Sequence, residues 1–488
     1  MQKNIELKHI LYLILGLAII VYTVLFFVDI STQKPFSDDW FMLEISRELY
    51  NKPLIEWVTV KDPFNQWRPL PFVLKGLYLR GGVRDLMFYN VFKLCLFIFI
   101  LIMIYITSRI FFKDKRIALL SMLFFICNPT IIGAVQNVDH IFKLTGTIFF
   151  GLAVIFSYLY ILNNNKYFLL IYILSFVMGC FSDADVVAIF PSILLLILFG
   201  HKYKNISFQK SIAISIVSLL LLFSYLYIRN LLVGSTFGGG VAQRQDLLFN
   251  YNILFNIIKL LISIFTYTIS PYIYFNNPIY ITIGIITFII NISFITLAII
   301  QIKKEQKILL LLITCLSFIA MTPFIFIRHV SEIYSLKPSY LLMIVLACSV
   351  TFIFYNSGEK YKKFIIGWVV IMLFSGAFSM KIKQNMIIER GGLAEKMVIS
   401  MKRALPSPED YSTINLLIGE CGDRWTYSDF VNNDLQLVGI KNYFVRYNYI
   451  NHTLNTQFLP QKVYTLRWDC ERKEFIRHFG KNKSLFPA

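Results

Sequence analysis

Two aspartates stand side by side in Phe36-Ser37-Asp38-Asp39-Trp40, shortly after the first long apolar run of the chain. Adjacent carboxylates are costly to keep charged unless a cation, a shared proton or a metal ion relieves them. Such a pair suits general-base chemistry, and its aromatic neighbours suit the headgroup level of a membrane. A lipid-linked substrate would be met there. Asp39 is the first candidate base and Asp38 the second. The plain alternative is a solvated loop in which Asp39 caps a helix over 40–50.

Other groups fit the same chemistry. Arg68, in Trp67-Arg68-Pro69-Leu70 further along that loop, offers a fork of donors that matches a phosphate or pyrophosphate, or else a loop acid such as Asp62. Asp183 and Asp185 form a second acidic turn, Phe181-Ser182-Asp183-Ala184-Asp185, between two apolar runs. A charge without a role is expensive near a membrane interface; the competing reading is a cap for the helix from Val186. Arg328 and His329 close another apolar run and Lys337 follows, an arrangement that fits an anion. Lys and Arg also snorkel at helix ends for structural reasons alone. His140, next to Asp139 and a turn before Lys143, reads first as a polar helix terminus and second as a substrate contact. Asp39, Asp183 and Asp185 are the candidate ligands for a divalent cation, Mg or Mn, should one take part. No Cys-x-x-Cys or similar metal spacing occurs.

The elements that must position these groups are helices in a membrane. Apolar residues make up 57% of the chain and charged residues 15%, against about a quarter charged in a soluble protein. Apolar runs of about 20 residues recur from Ile10 to Met380, the length of a membrane-spanning helix. The formal charge of +19 resides largely in short links between these runs, where it orients the protein, so nucleic acid is not an expected partner. The first run, Ile10–Ile30, is too long for a signal-peptide core and reads as a retained helix. Helices are expected near 9–29, 87–111, 116–135, 141–162, 166–181, 185–200, 210–230, 279–301, 307–327, 338–355 and 362–380, roughly eleven spans.

The basic links 113–116, 201–204, 303–307 and 360–363 belong on the cytosolic side. That parity puts the N-terminus inside and the C-terminus outside, provided 254–275 lies along or dips into the outer surface without crossing. Before the tail, only Glu6, Asp114, Glu305 and Glu359 then face the cytosol; the other acids face out. Acids contribute little to orientation, so this bias points to an outer-face site. Two domains are expected: a transmembrane part, 1–380, with a long first outer loop at 31–85, and an extracytoplasmic part, 381–488. The latter has strand-like runs at Ile414–Ile418 and Lys462–Trp468 and a helix-like run at Leu393–Ala404, hence a small α/β domain. Cys95, Cys127, Cys180, Cys315 and Cys348 read as packing residues, and Cys421 and Cys470 as a candidate disulfide in an oxidising compartment.

The acidic pair Asp38-Asp39 in a long first outer loop, the Arg68-Pro69-Leu70 element, the second acidic turn Asp183–Asp185 and the segment Arg328–Tyr340 together resemble the GT-C superfamily of membrane glycosyltransferases. That superfamily includes protein O-mannosyltransferases and aminoarabinose transferases. The resemblance implies a GT-C-like polytopic fold in a bacterial inner membrane. It also implies a polyprenyl-phosphate sugar donor, and transfer outside the cytosol to a glycan such as lipopolysaccharide, to a lipid or to a protein. Asp38 or Asp39 matches the family's first-loop acid; Asp39 stands where several members have Glu. A single-displacement, inverting transfer needs one base, with Arg68, Arg328, His329 or Lys337 meeting the leaving phosphate. The rival readings are a polymerase or ligase of lipid-linked glycans and a transporter or flippase. The latter would place ionisable residues at the membrane midplane.

Overall fold

The computed structural model describes residues 2–27, 49, 52–60, 67–78, 86–137, 140–204, 208–234, 252–266, 278–325, 332–404, 413–418, 444–449, 463–469, 472 and 474–477. It is almost entirely helical. An apolar segment in lipid has no water to satisfy its backbone, so it folds into a helix that pairs its own N–H and C=O groups.

The helices are α1 (Gln2–Phe27), α2 (Leu54–Thr59), α3 (Pro69–Tyr78), α4 (Leu86–Phe112), α5 (Lys115–Ile126), α6 (Thr130–Gln136), α7 (Ile141–Asn163), α8 (Lys166–Ser182), α9 (Ile189–Lys204), α10 (Phe208–Val233), α11 (Asn252–Phe265), α12 (Pro278–Gln301), α13 (Lys304–Ile325), α14 (Leu336–Asn356) and α15 (Glu359–Ala404). Short 3-10 turns precede α9 (Ala184–Ala188) and α14 (Glu332–Ser335). Among the described residues seven helices, α4, α7, α10, α12, α13, α14 and α15, are long and apolar enough to cross a membrane, or eight with the bent pair α5–α6. Further apolar stretches are shorter: Tyr12–Phe27, Lys166–Ser182, Ile189–Tyr203 and Ile253–Phe265.

The expected count of about eleven spans is not reached among the described residues by length and composition, and three further features differ from the expected spans. The helix expected over 116–135 is two helices bent by 74°. Pro129 lacks an N–H to continue α5, and Asn128 starts α6 by accepting from Thr130 N at 3.0 Å and Thr130 Oγ1 at 2.7 Å. α15 does not end at Met380. It is 46 residues long, a rise of about 69 Å, more than twice the ~30 Å hydrocarbon core. It takes in the run Leu393–Ala404 that had read as a separate helix. The 254–275 stretch yields α11, whose 14 residues rise about 21 Å, short of a span; residues 267–277 lie outside the described set.

Asparagines tie helix ends where lipid offers no partner. Asn128 Nδ2 donates to Ile264 O (2.7 Å), Asn256 Nδ2 to Ile325 O (2.9 Å) and Asn291 Nδ2 to Phe265 O (2.8 Å). These satisfy last-turn carbonyls of α11 and α13 that the helices cannot pair themselves. At the α5–α6 bend a Cβ on Gly376 of α15 would lie 2.4 Å from Cys127 O, so only glycine lets α15 seat there. Cys127, Cys180 and Cys348 are packed inside as expected, but Cys95 and Cys315 are exposed on helix faces.

The described C-terminal strands β1 (Thr413–Ile418), β2 (Phe444–Tyr449), β3 (Val463–Asp469) and β4 (Glu474–Arg477) form one sheet in the order β2-β1-β3-β4. β1 runs parallel to β2 and β3, β4 antiparallel to β3, and β4 packs against α15. The two expected strand runs are β1 and β3. Cys421 and Cys470 lie outside the described residues.

The helix bundle has two chemically distinct ends. At one, Phe111 stacks on Tyr158 (4.3 Å), Tyr158 meets Phe199, and the Arg116 guanidinium sits 4.1 Å above Tyr355. These contacts gather the C-terminal ends of α4, α7, α9 and α14 with the basic links beside them. The opposite end receives α1. Gln136 Nε2 and Gln384 Nε2 both donate to Phe26 O (3.2 and 3.5 Å), and Phe27 stacks on Phe97 at 4.4 Å. The first loop therefore departs from this second end, about 22 Å along α7 from the first.

Candidate functional site

Four charged side chains meet at that second end. Lys143 is in the first turn of α7 and Lys337 in the first turn of α14; Asp183 caps the C-terminus of α8, and Asp185 lies in the 3-10 turn that follows. Lys143 Nζ donates to Asp183 Oδ2 at 2.9 Å and also to Asp185 Oδ2. Lys337 Nζ donates to the same two oxygens at 3.0 and 3.2 Å. Each lysine thus bridges both carboxylates, and two positive charges balance two negative ones. Side-chain exposure is 0% for Asp183, 3% for each lysine and 14% for Asp185, so the group is buried with one carboxylate edge open.

Local sequence explains the closeness. Asp183 N still bonds Gly179 O at 3.0 Å, so α8 delivers its carboxylate in helical register before the chain turns. Gly146, one turn after Lys143, leaves room: a Cβ there would sit 2.9 Å from Asp183 Cβ and 3.3 Å from Lys337 Cε and Nζ. Burial alone would raise the Asp183 pKa, but the charges of Lys143, Lys337 and Arg68 outweigh it and hold the carboxyl well below the usual range.

Aromatic faces line the group. Lys143 Nζ lies 5.0, 4.9 and 5.0 Å from the ring centres of Phe142, Phe324 and Tyr334, and Phe324 stacks on Tyr334 at 4.5 Å. A cation inside such a ring set gains from the ring quadrupoles. The Arg68 guanidinium lies 3.9 Å above the Phe142 ring. Trp67 before it stands edge-on to Phe181 (5.4 Å) and stacks on Tyr225 (6.0 Å), while its indole N–H donates to Val58 O at 2.7 Å. The loop's return is thereby clamped beside the second acidic turn. Pro69 then opens α3, against which Trp57 folds; a Cβ on Gly76 would overlap the Trp57 ring.

The structure therefore brings Arg68, Asp183, Asp185 and Lys337 together. His140 is nearby but differently engaged: its Nδ1 meets Gly133 O at 2.9 Å, and its ring is edge-on to Phe142. Asp38, Asp39, Arg328 and His329 lie outside the described residues. The residues flanking Arg328 and His329, Phe324 and Tyr334, both face Lys143. Lys143 itself is the residue that sequence reasoning passed over. A lysine in the first turn of an apolar helix is the available signal, and it reads as part of a polar helix terminus. Lys93, a similar lysine, donates instead to the Gln136 and Asn137 carbonyls at the end of α6. Among the described residues no three His, Cys, Asp or Glu side chains cluster as metal ligands would.

No protein-family model and no curated protein matches this sequence. Solved structures do match. They include the aminoarabinose transferase ArnT from Cupriavidus metallidurans in the apo state, at TM-score 0.50 and 13% identity over 85% of this chain and 84% of that one. The same enzyme bound to undecaprenyl phosphate matches at TM-score 0.50 and 13% identity, over 88% and 85%. The Archaeoglobus fulgidus oligosaccharyltransferase in the apo form matches at TM-score 0.50 and 11% identity, over 86% of this chain but 63% of its own, so the chain spans less than two thirds of that protein's length. This polytopic helical chain accordingly has a GT-C-like fold.

Proposed function

We propose that the protein is a membrane glycosyltransferase that moves a sugar from a polyprenyl-phosphate donor to an acceptor on the extracytoplasmic face. The observation that carries this reading is the buried Lys143–Asp183–Lys337–Asp185 group beside Arg68, built where the first loop leaves and returns, at the end opposite the basic links. A GT-C-like fold supports lipid-linked glycosyl transfer as the reaction class. ArnT is a neighbour whose structure holds undecaprenyl phosphate, which supports a donor of that kind.

In this reading an acceptor hydroxyl attacks the anomeric carbon as the bond from that carbon to the phosphate oxygen breaks. The electron pair leaves with the lipid phosphate, and Asp39 takes the hydroxyl proton. Arg68 and Arg328 meet the phosphate charge as it develops. Asp38 orients the acceptor. The lysine-held acids fix the floor of the site, and the sheet hung on α15 lies outside the membrane, where it can reach an acceptor. The basic links orient this end away from the cytosol, in a bacterial inner membrane.

The reaction is tested by mass analysis of surface glycans from cells with and without the protein. One sugar unit missing from a lipopolysaccharide, another envelope glycan or a glycoprotein is the expected result, and it names both sugar and acceptor. Identical glycan profiles under conditions where the protein is abundant would remove the proposal.

A further inference from the structure

We propose that the second acid pair works without a divalent cation, because Lys143 and Lys337 are its built-in replacement. Two carboxylates in an acidic turn at a membrane surface invite a metal ion, which would bridge them and cancel their charge. Here that position is filled. Both ammonium groups contact the same two oxygens, Asp183 Oδ2 and Asp185 Oδ2, and together they carry the charge of one divalent ion.

The surroundings favour ammonium groups over a hard cation. Magnesium and manganese take about six oxygen ligands and keep several waters. Among the described residues two carboxylates stand here, and no third His, Cys, Asp or Glu joins them in a cluster. Phenyl and phenol faces lie within 5.0 Å of Lys143 Nζ; these attract an ammonium but cannot ligate magnesium. Space is short as well, since even a methyl group on Gly146 would press on Asp183 and Lys337. A divalent ion could enter only by displacing both lysines from their partners and then lying next to them, at the cost of strong like-charge repulsion. Asp183 and Asp185 are therefore positioning residues, and the lysines fix the charge of the site permanently, whatever metal the compartment supplies.

The inference rests on the transferase reading for its meaning in the reaction, but its test needs neither sugar nor lipid donor. Full-length protein in lipid nanodiscs is titrated with Mn2+, and bound ion is read from loss of the free Mn2+ paramagnetic resonance signal. Wild type and Asp183→Asn/Asp185→Asn should give the same isotherm. Removing the lysines in Lys143→Met/Lys337→Met should create a site about a hundredfold tighter or more, since a cation within about 4 Å of two ammonium groups is strongly repelled. Adding Asp183→Asn should abolish that site. Where the double Met variant does not give a cooperative melt, Lys337→Met alone should show a smaller gain in the same direction. One Mn2+ per chain in wild type that the Asn pair removes would overturn the proposal, as would well-folded lysine variants that bind no more Mn2+ than wild type. A protein that binds no Mn2+ at this pair yet transfers no sugar would count against the transferase reading alone.

Discussion

At the scale of residues, the Lys143–Asp183–Lys337–Asp185 group is a buried set whose stability depends on balance. Taking any charge from water is costly, and each ion here is offset mainly by its two partners, with Arg68 adding to Asp183 and the aromatic faces to Lys143. Lys337→Met leaves one carboxylate uncompensated and should cost about 3–5 kcal/mol, the range for breaking a buried pair. Lys337→Met/Asp185→Asn restores neutrality around Lys143 and Asp183 and should recover much of that loss. Thermal unfolding in detergent checks this; a double variant as unstable as the sum of the singles would mean the four do not act as one group. The pH dependence has a definite sign. Asp183 has a folded pKa below its unfolded value, so its contribution is complete above about pH 4 and is lost only as pH falls further. Asp183, Asp185 and Lys337 were marked out in the sequence because acids and bases at the ends of apolar runs are expensive. Lys143 was not, because its partner Asp183 lies 40 residues on and a lysine near a helix end usually snorkels.

At the scale of elements, glycines decide how closely the helices carrying the site approach. Gly146→Ala should press on Asp183 and Lys337, and Gly376→Ala on the Cys127 carbonyl, each destabilising by about 1–3 kcal/mol as overpacking does. Gly367, with nothing within 4 Å of its would-be Cβ, is the control: alanine there should be neutral or stabilising by up to about 1 kcal/mol, from helix propensity. Equal melting shifts in all three variants would show that helix propensity and not contact governs these positions. Most helices were legible within a few residues, because a long apolar run in lipid has no other way to satisfy its backbone. The break at Asn128-Pro129 was masked by the apolar run on either side. The continuation of α15 past Met380 was masked by the fall in hydropathy there, since a helix can run on after its apolar stretch ends.

At the scale of the whole molecule, composition alone marks a membrane protein, and most acids before the tail lie away from the basic links in the sequence. The long-range meetings were not readable: Arg68 over Phe142, and Phe324 with Tyr334 around Lys143, follow from packing among segments far apart in sequence. Under the proposed function, this end transfers sugar with Asp39 as base, supported on the lysine-held acids. The most direct measurement is transfer from a labelled polyprenyl-phosphate sugar to acceptor by purified protein in lipid vesicles, comparing wild type with Asp39→Asn and Asp38→Asn/Asp39→Asn. Wild type should transfer sugar, and transfer should fall by about 100-fold or more in both variants, the scale of general-base catalysis, with unchanged abundance and melting. Near-normal transfer by the double variant would contradict it, since asparagine caps a helix as well as aspartate but takes no proton.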